Sequence, residues 1–241
     1  MLGRGARPAS NWLSATVPFL SRDDVVAVVV PAVAPPSASL RERAAAAVLE
    51  SRLGGGSRRS RFLPGNVRIT DDHPADSFVV RRTAFLAAAE AGLDDEGIIG
   101  WLAERGMRTV YTPDTMIAAA PAPLFGPHLR STFRHASARG AAARRTRGRS
   151  VSSATTLSLV PAAGALLGVV LLALGSGAAW GVGAALVVAY CVLVAGSAAL
   201  AAVRFRSVAV GALAAPSLIA TQTSYVIGFV MGLIGRSARR A

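Results

Sequence analysis

Three hydrophobic patterns follow one another along the chain. Between residues 25 and 112, short apolar runs alternate with longer mixed ones, as strands interleaved with helices do. Residues 25–30 (VVAVVV) are a β-branched run closed by Pro31, which predicts a buried strand of a parallel sheet. Residues 39–53 (SLRERAAAAVLESRL) predict a helix: Ser39 suits the N-cap, Glu42 completes a capping box, and Gly54 lies past the end. The GGGSRRSR that follows reads as a loop. SFVVR (77–81) predicts a second strand, TAFLAAAEAG a short helix stopped at Gly92, DDEGIIGWLAERG a helix stopped at Gly106, and MRTVY a strand ended before Pro113.

The second pattern, residues 128–149, is polar and rich in Arg. On a helix Arg130 and Arg134 are neighbours with Phe133 beside them, so part of this collar can lie flat on a membrane surface. The third pattern is almost wholly apolar. Residues 155–174 and 182–203 carry no charge, and about 20 residues at ~1.5 Å each cross a ~30 Å hydrocarbon core. Both are expected to span. Residues 208–235 are long enough too, but Pro216, Gln222 and several Ser and Thr need polar partners; a third span and a re-entrant or interfacial segment both remain open. The chain is therefore expected to divide into an α/β head (1–127), a juxtamembrane collar (128–151) and a helical transmembrane region (152–241) of two to three spans.

Charge sharpens this division. All 13 acids lie at or before Asp114, whereas 12 of the 26 basic residues, every one Arg, follow it. Arg144, Arg145, Arg147 and Arg149 precede the first span and Arg204 and Arg206 follow the second, while the loop between them (GSGAAWG) is uncharged. Basic flanks favour the cytoplasmic side. The expectation is a multi-pass protein of the cell membrane with its head in the cytoplasm. The N-terminal segment has no uninterrupted apolar core of the kind a signal peptide needs. Cys191 is the only cysteine, which excludes a disulfide within the chain and a cysteine-based zinc site. Asp71, Asp72 and His73 match no recurrent metal spacing, GGGS lacks the phosphate-loop spacing, and no nucleophile has a partnered His. Nucleic acid is not expected as a partner, because the Arg residues have a topological explanation and few aromatics lie among them.

ARPASNWL (6–13), SFVVRRTAFLAAAEAGLDDEG (77–97), WLAERGMRTVYTPD (101–114), FRHASARG (133–140) and SYVIGFVMGLIG (224–235), in this order and with membrane-length apolar stretches in the C-terminal part, resemble the second half of a family 2 glycosyltransferase of GT-A type with C-terminal membrane helices. Residues 6–13 look like the segment after that family's DxD motif, and residues 77–97 resemble its arginine pair, short helix and acidic pair. The other three resemble the segments that follow. The resemblance implies a nucleotide-sugar donor and a lipid-linked or cell-surface glycan acceptor. It implies Asp95 as the base that takes the acceptor's proton, with Asp94 before it; a positioned carboxylate suits that task. The same acids also suit the positive N-terminus of a helix on electrostatic grounds alone. It further implies that Arg82, of the pair Arg81 and Arg82, lines the acceptor site, and that Arg134 holds phosphate near the membrane, where a guanidinium can make paired, charge-assisted bonds.

The chain departs from the family in its metal ligands. Gly3 and Gly5 stand in for the two DxD acids that would hold Mg or Mn, and Ala119 falls where a further His is often found, so no metal ligand is assigned. The family's nucleotide-binding half would precede Met1. That implies a longer chain, a fragment, a degenerate relative, or a separate chain that completes the donor site. The alternative function is a catalytically inactive, membrane-anchored binding or scaffold protein.

Overall fold

The computed structural model describes residues 5–70, 78–92, 95–145 and 153–235, without the side chains of 57, 95–97 and 153–158. It is a mixed α/β structure with two small sheets and a set of long helices. Two compact units emerge, residues 1–38 with 60–120, and residues 39–59 with 121–241. The segment 39–59 thus packs with the helices that follow Pro121.

The first unit is built on β2 (Val25–Val29), the run that ends at Pro31. It pairs in parallel with β6 (Arg108–Tyr111) and antiparallel with β5 (Phe78–Val80). With β4 (Arg68–Thr70) the order is β4-β6-β2-β5, so the expected parallel sheet is mixed. Residues alternate across it. Ala27, Val29, Phe78 and Tyr111 pack under α5 (Arg82–Glu90) and α6 (Asp95–Glu104), while Val25, Val28 and Val110 meet Phe19 and Leu20 of the 3₁₀ turn Val17–Ser21 on the other face. The register shift between Val25 and Ala27 sets Val25 on the same face as Val28. Gly92 and Gly106, at φ +71° and +73°, take the left-handed turns that stop α5 and α6. A second sheet, β1-β7-β3, joins two-residue strands: β1 (Arg7–Pro8), β3 (Ala32–Val33) and β7 (Ile117–Ala118). Between β1 and β2 lies α1 (Trp12–Thr16).

The second unit opens with α2 (Leu40–Glu50), whose capping box is formed as expected: the Glu42 carboxylate accepts from the Ser39 backbone N–H at 2.7 Å. The helix stops three residues early. Ser51 is extended (φ −74°, ψ 153°) and its hydroxyl accepts from Gly54 N–H at 2.9 Å, which starts α3 (Arg52–Gly55). The expected loop of residues 54–61 is instead helical turns: the end of α3, a 3₁₀ turn at Gly56–Arg58, and α4 (Arg59–Phe62). Three longer helices follow the collar helix α7 (Gly126–Arg145): α8 (Ser153–Leu174), α9 (Ala178–Arg204) and α10 (Val208–Leu233).

Among the described residues two helices, Ala178–Arg204 and Val208–Leu233, are long and apolar enough to cross a membrane, and Leu159–Leu174 is a shorter apolar stretch. Leu200, Val203 and Val208 stay between 72% and 83% exposed, as lipid-facing side chains are. α8 and α9 meet at Gly168 and Gly183; a Cβ on Gly183 would lie 2.8 Å from the Gly168 carbonyl oxygen, so the two backbones approach closely. α10 is the central helix. Ala44, Ala45 and Val48 of α2 and Val194 and Ala201 of α9 cluster with its Val210, Ala214 and Leu218.

Candidate functional site

β2 and β6 end at the same edge of the first sheet, and the segments that leave them form a polar cluster. Thr112 N–H donates to the Val29 carbonyl at 3.0 Å, which keeps the two exits together. The buried Thr112 hydroxyl then donates to the Asp114 carboxylate at 2.9 Å. Asn11, ahead of α1, spends both ends of its amide on this loop: Nδ2 donates to the Asp114 carbonyl at 3.2 Å and Oδ1 accepts from the Thr115 hydroxyl at 2.9 Å. β1 pairs with β7 beside them, Arg7 opposite Ala118 and Pro8 opposite Ile117. Segments 6–13 and 111–118 therefore close on one another at the carboxyl end of the parallel pair. Open α/β sheets bind ligands there, because the strand exits and their loops converge without side chains filling the edge. Thr112 and Thr115, short polar residues just past a β-branched strand, carry a sequence signal for this cluster, whereas Asn11 carries none.

Asp95 is the first residue of α6. α6 returns into β6 through residues 105–107, so the two run oppositely and Asp95 begins the helix at the edge where β2 and β6 end. Asp94 and Gly3 lie outside the described residues, as do Asp71, Asp72 and His73. Arg82 is exposed at the start of α5, beside the beginning of β2, where Val80 pairs with Ala27. Arg82 and Asp95 thus stand at opposite ends of the sheet and are not brought together. Its neighbour Arg81 is a fastener: the guanidinium donates to the carbonyls of Leu20, Arg22 and Val25 at 2.8, 3.0 and 3.1 Å. Nearby, hydrogen bonds from Arg22 first, and then from Arg108, hold the Asp24 carboxyl below its usual range. The residues at the metal segment do not fit a divalent cation. Gly5 and Ala119 offer no ligating side chain, and among the described residues no three of His, Cys, Asp and Glu gather.

Arg134 lies exposed on α7, in the second unit, whose interior holds a polar cluster of its own. His128, placed in the collar by sequence, is buried there and bonds Thr221 of α10 at 2.9 Å. Arg58, also buried, donates to the Thr132 hydroxyl at 3.2 Å. Gln222 accepts from the Tyr190 hydroxyl at 2.7 Å and donates to the Leu53 carbonyl at 3.3 Å. Thr221 and Gln222, two of the polar residues that made 208–235 awkward as a span, thereby find partners on α3, α7 and α9. Glu50 pairs with Arg204; burial pushes its carboxyl up, and the guanidinium pulls it partly back.

Burial, and then the charge of Arg58, push the His128 imidazole down to about 4. An unfolded His takes a proton near 6.5, so between these values the unfolded state binds more protons and stability falls as pH drops through the window. The loss reaches about 2 kcal/mol at pH 5. His128→Gln, which keeps a bond to Thr221 but cannot titrate, is expected to be less pH-sensitive by that amount in unfolding of the detergent-purified chain at pH 7 and pH 5. No protein-family model, curated protein or solved structure matches this chain.

Proposed function

We propose that this chain is a membrane-associated glycosyltransferase with a GT-A-like head, moving a sugar from a nucleotide-sugar donor to a lipid-linked or cell-surface glycan acceptor at the cytoplasmic face of the cell membrane. The observation that carries this reading is the closure of residues 6–13 on residues 111–118. Asn11 reaches partners 103 and 104 positions away, and both stretches are ones the family resemblance picks out. Asp95 begins α6 at the same edge.

In the reaction, an acceptor hydroxyl oxygen forms a bond to the sugar's anomeric carbon. The bond from that carbon to the donor's diphosphate oxygen breaks, a nucleoside diphosphate leaves with the electron pair, and the hydroxyl proton passes to the Asp95 carboxylate. No step is routed through a metal. The test is to incubate membranes carrying the chain with a panel of sugar-labelled nucleotide sugars and follow label into lipid-soluble and glycan fractions; transfer from one donor above control membranes is the expected outcome.

A second reading is a catalytically inactive, membrane-anchored binding or scaffold protein. It draws on Gly5 and Ala119, which occupy positions where the family has ligating side chains. A folded chain that transfers no sugar from any donor favours it.

A further inference from the structure

Resting on the glycosyl-transfer reading, we infer that Asp114 binds a pair of sugar hydroxyls at the candidate site, and that Thr112 and Asn11 position it. The segment that carries it is firmly held. Thr112 N–H donates to the Val29 carbonyl at 3.0 Å, Ile117 N–H to the Pro31 carbonyl at 2.9 Å, and Ala9 N–H to the Met116 carbonyl at 3.1 Å. Asn11 Nδ2 adds a fourth tie, to the Asp114 carbonyl. All four engage main-chain groups of residues 112–117, so this turn is fixed in advance without the Asp114 side chain.

The carboxylate is thereby left for a ligand. It accepts from the buried Thr112 hydroxyl at 2.9 Å through one oxygen, and that hydroxyl in turn accepts from Asp114 N–H at 3.3 Å. Asp114 is exposed, and among the described residues no Arg or His pairs with it. A carboxylate only accepts, and its two oxygens offer about four lone-pair sites. Its ligand must therefore bring donors or a cation. A divalent cation needs several further ligands, and no three of His, Cys, Asp and Glu gather among the described residues. The donor's diphosphate brings acceptors and negative charge, which Asp114 repels. Sugar hydroxyls fit: each brings a donor, and two on neighbouring carbons can bond both carboxylate oxygens. An acid serves ribose in this way in dinucleotide-binding sheets. Asn11 itself spends both ends of its amide on the turn, which makes it a positioning residue.

The test pairs side chain with hydroxyl, using membranes that carry the full chain. Asp114→Ala is expected to raise KM for one substrate roughly ten- to hundredfold, the usual weight of hydrogen bonds to a charged group, with less change in kcat. Its melting temperature is expected to hold within a few degrees, because the four ties remain. Asp114→Asn, which keeps size and one acceptor oxygen, is expected to fall between the two, and Thr112→Val to move the same KM in the same direction by less. Deoxy analogues of the donor's ribose, of its transferred sugar and of the acceptor's terminal sugar identify the source. The analogue that weakens the parent but costs nothing further in Asp114→Ala lacks the hydroxyl that Asp114 binds. Losses that add for every analogue, or a KM unchanged for both substrates, overturn the inference while sugar transfer itself stands. If no donor supports transfer, saturation-transfer NMR of the detergent-purified chain with nucleotide sugars and free hexoses decides. A signal on sugar ring protons that is lost in Asp114→Ala supports the assignment without turnover; equal signals in both, or none in the parent, overturn it.

Discussion

Asparagine in place of Asp95 is expected to lower sugar transfer by about 10²- to 10⁴-fold, the usual contribution of a positioned general base. The substitution keeps size and removes only the ability to take the acceptor's proton at neutral pH. Its effect on folding is expected to be small, because a carboxylate at a helix N-terminus contributes about 0.3–1 kcal/mol. The two explanations for an acid at the start of α6 therefore part clearly. As a base, Asp95→Asn loses turnover while its melting temperature shifts by a few degrees at most. As a mere helix-stabilising charge, it loses that small stability and keeps full turnover. Initial rates of transfer and thermal melts of the same preparations decide between them.

Leucine in place of Gly232 is expected to cost at least about 3 kcal/mol, the upper end of overpacking penalties, and to part α7 from α10. The neighbour that a side chain would strike is the Ser137 main-chain carbonyl, which cannot rotate aside as a side chain does. Gly140→Leu meets the Phe229 carbonyl from the opposite helix and is expected to behave alike. Gly196→Leu is the control. It lies on exposed α9 with no atom within 4 Å of its would-be Cβ, so removing a glycine from a helix there is neutral or slightly stabilising. Melting of the three variants in detergent measures the difference; equal losses at all three positions would mean that the close seam is not what holds α7.

Elements encoded by neighbouring residues were legible in the chain. The capping box of Ser39 and Glu42, the left-handed Gly92 and Gly106, and the β-branched run before Pro31 each carry their instruction within a few positions, and all three formed. The two-residue strands β1, β3 and β7 were not legible, since each exists only through pairing with a distant segment. The stop at Ser51 was missed because SLRERAAAAVLESRL is helical by propensity throughout, and only the side-chain bond to Gly54 breaks it. His128 read as part of a solvated collar because its burial depends on Thr221, 93 positions away. At the candidate site, Asp95 stood out through the resemblance, while Asn11 was hidden. A single Asn carries no signal until folding sets it against Asp114 and Thr115.

Glycosyl transfer by this chain is measured most directly through the stoichiometry of its products. Membranes bearing the whole chain are incubated with the nucleotide sugar that supports transfer in the panel, and labelled product is compared with nucleoside diphosphate released. One diphosphate per sugar transferred, with both lost together in Asp95→Asn, is the predicted result. Diphosphate release without a glycosylated product, or transfer that persists unchanged in Asp95→Asn, would contradict the proposed mechanism, and a correctly folded chain that yields neither product from any donor would contradict the enzyme reading itself.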